Sequence, residues 1–235
     1  MKTKPILFSS PMVRAILNGT KTQTRREVKP QPSTYHDEEP YWFIGGYRVW
    51  RHTGTFNTLR TGGKEVSCPF GDVGDRLWVR ETFALEHQVE TDQKPPHNDR
   101  RPIKYEGYED DYWVQPHYRA TDETPHLAYE DMPEGVDHMC RWRPSIHMPR
   151  WASRITLEIT KVRVQRLNEI SDEDALAEGI QKSRDEYGYQ ADSEGRHYSG
   201  DPIESFAGLW EFCYGDGSWE ANPLVWVIEF KRVDV

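Results

Sequence analysis

Gly19-Thr20-Lys21-Thr22-Gln23-Thr24-Arg25-Arg26 follows directly on a short amphipathic segment, and the direction in which it leaves that segment decides the fold. Ahead of it, Ser10-Pro11 reads as an N-cap with proline at the first helical position, and Met12, Val13, Ile16 and Leu17 recur at helical spacing. Asn18-Gly19 closes the helix, because glycine accepts the left-handed conformation that turns the chain sharply. The residues that emerge carry an amine at Lys21, hydroxyls at Thr22 and Thr24, and guanidiniums at Arg25 and Arg26. In an extended chain Thr22, Thr24 and Arg26 share one face, and Lys21, Gln23 and Arg25 share the other. Bringing Lys21 and Thr24 together therefore requires a bend near Gly19 or Lys21. A basic, polar run of this kind is most often a strand with a solvated face. Here the glycine turn fixes the entry, and a second signature far downstream belongs to the same pattern.

The chain has 235 residues, enough for one large domain or a small domain with insertions. Hydrophobic residues make up 36% and the mean hydropathy is -0.87, so long polar loops must accompany a compact apolar centre. With 9 Trp and 12 Tyr, that centre is aromatic, with polar tips free to bond or stack on a flat ligand. A formal net charge of -9 argues against indiscriminate binding to a phosphate backbone, which needs a broad cationic surface. A local basic pocket for a nucleoside remains compatible with it.

Cys68, Cys140 and Cys213 are too few and too scattered for a disulfide framework, which sets the expectation of a reducing, cytoplasmic location. Cys68 and the His138-Met139-Cys140 stretch supply no Cys-x-x-Cys knuckle, so neither a metal nor another cofactor is expected. The first residues lack the apolar run of a signal peptide, and no stretch approaches the length of a membrane span, so no membrane partner is expected.

Along the chain, residues 5–8 read as a first strand. Residues 29–66 carry proline, glycine, aromatics and charge without a sustained period, and a hairpin is expected about 41–51. After the turn cluster Gly71-Asp72-Val73-Gly74-Asp75, residues 76–82 alternate as a strand. Leu77 and Val79 lie on one side, and Arg76, Trp78, Arg80 and Thr82 on the other. Trp78 and Arg80 could floor a ligand site, or simply face the insertions.

Residues 84–140 are rich in Asp, Glu, His and Pro, with strand-like pieces at 103–105 and 112–118 and acidic runs at Glu109-Asp110-Asp111 and Asp122-Glu123 that read as solvated loops. The stretch 142–154, with two tryptophans and three arginines, reads as a shaped loop in which Trp151 can wall a pocket for a base. His147 within it reads equally as a packed loop residue.

Residues 155–164 alternate as the clearest strand. Ser171-Asp172-Glu173-Asp174 caps a short helix that Gly179 ends, which puts Glu178 at the negative end of the helix dipole. A carboxylate that breaks a local rule is a candidate for function. Residues 202–214 form a helix with Phe206, Leu209, Trp210 and Cys213 in one buried stripe, and 223–233 form an apolar, central strand.

A strand, a glycine-ended helix, Gly19-x-Lys21-x-x-Thr24-x-Arg26, a Gly74-Asp75 strand entry, a long strand, a short helix and a final apolar strand together resemble the ASCH domain. The resemblance covers about 5–28, 71–83, 143–180 and 205–233. It implies an α+β fold: a small PUA-like β-barrel with short flanking helices, here one domain over 1–235 with long loop insertions at about 29–66 and 84–140. Such insertions resemble those of longer phage- and prophage-borne members. Some small members remove the acyl group from N4-acetylcytidine. Carried over, their catalytic residues become Lys21, Thr24 and Glu178, with Lys21 as the base that activates the Thr24 hydroxyl. Arg25, Arg26, Trp78, Arg80 and Trp151 are expected to bind the substrate.

The competing reading is a PUA-like module that binds RNA or a modified base without turnover. A ribonuclease comes third, since no carboxylate cluster for two metals is evident.

Overall fold

The computed structural model describes residues 1–29, 31, 41–44, 47–50, 58–61, 64–88, 102–103, 112–122, 141–183, 187–192 and 195–233. In chain order the elements begin with β1 (Thr3–Leu7), α1 (Ser10–Leu17) and β2 (Gln23–Glu27). Next come β3 (Tyr41–Ile44), β4 (Tyr47–Trp50), β5 (Thr58–Thr61), β6 (Lys64–Ser67), β7 (Arg76–Arg80), β8 (Phe83–Gln88), β9 (Pro102–Ile103) and β10 (Tyr112–Tyr118). The chain finishes with β11 (Thr156–Arg166), α2 (Asp172–Ala177), β12 (Gln181–Lys182), β13 (Tyr189–Gln190), α3 (Pro202–Tyr214) and β14 (Leu224–Val233). Strands and a few helices are mixed, as an α+β chain requires. Two compact units divide it: Met1–Lys4, Ala15–Leu77 and Thr156–Val235 form the first, and Pro5–Arg14 with Trp78–Ile155 the second.

The first unit is built on a sheet of strand order β1-β7-β11-β14-β2, to which β1 and β7 contribute their opening residues. β14 pairs antiparallel with β11 on one side and β2 on the other, which explains why both of its faces are apolar. Val225 and Val227 point to one side, into a core with Leu167, Ile170, Ala175 and Ile180 and with Phe206 and Trp210 of α3. Trp226 and Ile228 are buried on the opposite face. Full burial of such side chains is worth about 1.5–3 kcal/mol each, so this strand and its helices anchor the unit. The register of β11 against β14 shifts between Ile159 and Lys161. A separate four-stranded sheet, β3-β4-β5-β6, includes the expected hairpin, with Tyr41 opposite Trp50.

The expected closed barrel is not found among the described residues: the five strands make an open sheet with β1 and β2 at its edges. The edge of β2 is met by the end of α2 instead of another strand. The Thr22 amide donates to the Ala177 carbonyl at 2.9 Å, and Lys21 forms an isolated bridge with Glu178. The first helix also starts one residue before the sequence suggests, since the Ser9 carbonyl accepts from the Val13 amide.

In the second unit β10 lies between β8 and β9 in a three-stranded antiparallel sheet; β10 matches the strand-like piece at 112–118, β9 takes in the first residue of the piece at 103–105, and residues 104–105 lie outside the described residues. Its core gathers Phe83, Leu85, Met148 and Ala152, with Tyr118 and Trp151 packed against them. The stretch 142–154 is irregular, with single helical turns at Ser145–His147 and Arg150–Ala152. The expected acidic run at 109–111 and the pair His138 and Cys140 lie outside the described residues. Among the described residues no helix is long and apolar enough to cross a membrane.

Candidate functional site

Helix α2 begins as the sequence requires, with the Ser171 hydroxyl accepting from the Asp174 amide at 3.2 Å. It ends at Glu178, after which Gly179 adopts φ +100°. A Cβ at Gly179 would stand 3.2 Å from that of Ala15 and 3.3 Å from that of Lys21, so the glycine also allows β2's approach segment to lie against the helix end. Lys21 uses that closeness. Its Nζ donates to the Glu178 carbonyl at 2.7 Å and to Glu178 Oε2 at 2.8 Å, capping the helix terminus and neutralising its carboxylate with one amine. The unfavourable dipole position of Glu178 is thereby offset.

Lys21 and Glu178 are 2% and 4% exposed. Charges so far from water persist only when paired and hydrogen-bonded. The pairing continues outward. Arg25 Nη1 donates to Glu178 Oε1 at 3.1 Å, and its Nη2 to Asp174 Oδ2 at 2.6 Å. Arg163 Nη2 reaches both oxygens of Asp174, at 2.9 and 2.7 Å, and also Gln23 Oε1 at 3.2 Å. Arg163 Nη1 donates to Glu229, which lies 3.5 Å from Lys161 Nζ. Register explains the assembly: Arg163, Val227 and Arg25 stand in one cross-strand row, and Glu229 is opposite Gln23.

The environment sets the proton affinities. Burial pushes the Lys21 amine below its ordinary value; the Glu178 carboxylate opposes this, and the charges of Arg26 and Arg25 add to it. Burial pushes the Asp174 carboxyl up, but Arg25 and Arg163 outweigh it and hold the group below the usual carboxylate range.

No family model, curated protein or solved structure matches this chain.

Of the residues singled out in the sequence, Lys21, Glu178 and Arg25 meet directly. Arg25 spends both terminal nitrogens on carboxylates and rests its Cζ 5.8 Å from the Phe206 ring centre. Thr24 is buried, but it stands opposite Ile228, on the face of β2 that alternates away from Gln23 and Arg25. The ladder continues through Thr22, whose carbonyl accepts from the Phe230 amide, so the chain does not bend between Lys21 and Thr24. Arg26 shares the Thr24 face by register, and its side chain bonds to Tyr214.

Trp78, Arg80 and Trp151 belong to the second unit. There the Cζ of Arg80 and that of Arg150 lie 5.2 and 5.7 Å from the Trp78 ring centre. Arg80 Nε donates to the Met148 carbonyl at 3.1 Å, and Trp151 packs on the core. Sequence reasoning missed Asp174, Arg163 and Glu229. Asp174 was legible as part of a cap, and an arginine within the clear strand 155–164 was the available signal for Arg163.

Proposed function

We propose that the protein hydrolyses the acyl amide of an N4-acylated cytosine nucleoside, as an ASCH-type, PUA-like amidohydrolase with Lys21 as its base. The observation that carries this reading is the buried Lys21–Glu178 pair, in which burial favours the neutral amine that a base must be. Neutral Lys21 takes a proton from the attacking oxygen, which adds to the acyl carbonyl. The resulting ammonium returns the proton to the exocyclic nitrogen as the C–N bond breaks, releasing the deacylated cytosine nucleoside and a carboxylic acid when water attacks. Glu178 holds the ammonium between the two transfers, and Arg25, tied to Asp174, holds Glu178. Alternation along β2 supports water as the attacking group over the Thr24 hydroxyl, which the family resemblance implies.

Incubation with N4-acetylcytidine, followed by chromatography for cytidine, tests the proposal. Turnover should be lost in Lys21→Ala. Thr24→Ala should retain most of it if water attacks and lose it if Thr24 does. Absence of cytidine from the wild-type reaction refutes the reading.

A second reading, a binding module for RNA or a modified base, is favoured by the guanidinium–tryptophan contacts of the second unit, where Arg119 also lies over Trp142 at 5.5 Å. RNA binding that survives Lys21→Ala and falls in Trp151→Ala, without turnover of any acylated nucleoside, would support it.

A further inference from the structure

The stretch 141–154 carries Arg141, Arg143, Arg150 and Arg154 and no Asp or Glu, in a chain whose net charge is -9. Arg154 is neutralised by Glu81 at 3.0 Å. Among the described residues, Arg80, Arg119, Arg141, Arg143 and Arg150 make no ion pair with a carboxylate. Backbone bonds gather them within the second unit. The Arg119 amide donates to the Thr82 carbonyl at 3.0 Å, Phe83 and Arg143 exchange hydrogen bonds at 3.2 and 2.7 Å, and Arg80 stands two residues before Thr82. Arg119, Arg141 and Arg150 are exposed, and Arg80 and Arg143 are half-buried. Three of the five are seated on tryptophan: Arg80 and Arg150 lie over Trp78 at 5.2 and 5.7 Å, and Arg119 over Trp142 at 5.5 Å. Stacking uses the face of a guanidinium and leaves its in-plane N–H donors for an anion. Arg80 Nε donates to the Met148 carbonyl, which fixes the plane and leaves its two terminal nitrogens to donate. Like charges gathered without carboxylates repel one another, a cost that an anionic ligand offsets.

We infer that these five arginines clamp the phosphodiester backbone of a single-stranded nucleic acid. The edge of a guanidinium matches two oxygens of one phosphate, and planes fixed on tryptophan suit phosphates at set spacing along a strand better than they suit a fluid lipid surface. Trp78 and Trp142 hold the arginines and do not themselves read bases. The binding stands apart from the Lys21 chemistry; that the strand carries the acylated cytosine, which makes the substrate a polynucleotide, rests on the proposed function. Single-strandedness rests on it too, because chemistry on a base needs that base out of the duplex stack.

Fluorescence anisotropy of a labelled oligocytidylate, as RNA and as DNA, across about 50–200 mM salt tests this, alongside sedimentation with phosphatidylserine vesicles. For the full chain, the logarithm of affinity should fall with the logarithm of salt at a slope of about -3.5, as five neutralised phosphates require. Arg119→Gln/Arg141→Gln/Arg150→Gln, with folding checked by Tm, should lower the slope to about -1.4 and weaken binding at least about tenfold. Arg141→Gln alone, which disturbs no seated arginine, should reduce the slope by about 0.7. Binding of either oligonucleotide on these terms supports the inference, and the tighter of the two identifies the sugar. A wild type that binds neither, or binds only the vesicles, overturns it, as does an unchanged slope in folded variants. Release of cytidine from N4-acetylcytidine by a chain that binds no oligonucleotide leaves the hydrolase reading standing alone, and arginine-dependent binding without turnover does the reverse.

Discussion

Glu178→Gln deletes a negative charge that two buried cations share, Lys21 Nζ at 2.8 Å and Arg25 Nη1 at 3.1 Å. Breaking a buried ion pair by removing one partner costs about 3–5 kcal/mol, because the survivor stays desolvated. In Glu178→Gln the survivor is Lys21, which keeps the uncharged carbonyl of residue 178 but loses the ion pair, while Arg25 retains Asp174. In Lys21→Met the survivor is Glu178, which retains Arg25. The first variant should therefore fall near about 5 kcal/mol and the second near about 3. At roughly 2–4 °C per kcal/mol for a chain of this size, the Tm should drop by about 10–20 °C and 6–12 °C respectively.

The pH dependence separates the two further. Burial already lowers the Lys21 pKa from 10.5, and removing Glu178 takes away the two influences that raise it. Between the folded pKa and 10.5 the unfolded chain binds the proton that the folded chain has released, so the stability of Glu178→Gln should climb with pH in that window. Lys21→Met has no such climb. Urea denaturation of both variants at pH 7 and pH 9.5 measures this. Equal penalties, or a Glu178→Gln penalty that does not shrink at the higher pH, would refute the reasoning.

Gly179→Ala forces an L side chain into φ +100° and its Cβ against Lys21 and Ala15; a loss of about 1–2 kcal/mol, read by Tm, is expected together with lower activity toward an acylated nucleoside. Asp174 has a folded pKa below its unfolded one, so it stabilises above the unfolded value and this contribution disappears as pH falls through the folded value. Asp174→Asn should accordingly be less stable at pH 7 and show a shallower loss of stability between pH 5 and pH 2 in denaturation series. In the second unit, Arg154 forks onto Glu81 at 3.0 Å through both Nε and Nη2. Arg154→Ala should cost about 3 kcal/mol at pH 7. Burial raises the Glu81 pKa, so a protonated, neutral Glu81 should make that penalty smaller at pH 4, and urea midpoints at the two pH values check it.

Periodicity made much of the backbone legible. The alternation of Leu77 and Val79, the apolar faces of 223–233 and the helix over 202–214 each correspond to an element with nearly the expected bounds, although Cys213, expected in the buried stripe with Phe206, Leu209 and Trp210, is exposed in the last turn. Glu178 was legible for a different reason: a carboxylate at a helix C-terminus needs a compensating cation, and Lys21 supplies it. The identity of that cation's further partners was not legible, since Arg25 and Asp174 are 149 residues apart and meet only because β14 sets β2 and β11 on either side of itself. The open edge of β2 was equally hidden, because local pattern says that a strand exists but not whether a strand or a helix end will lie beside it.

Lys21, Glu178, Arg25, Asp174, Arg163, Glu229 and Lys161 alternate in sign along one unbroken file, and its Lys161 end is 42% exposed while its Lys21 end is buried. Such a file constrains the order in which descendants of this sequence can vary. Lys161 can be replaced singly, Glu229 and Arg163 only after it or in company, and the inner members only by exchanges that keep the sign sequence intact. Among kin of this chain, drift should therefore advance from the outer end inward and stop short of Arg25.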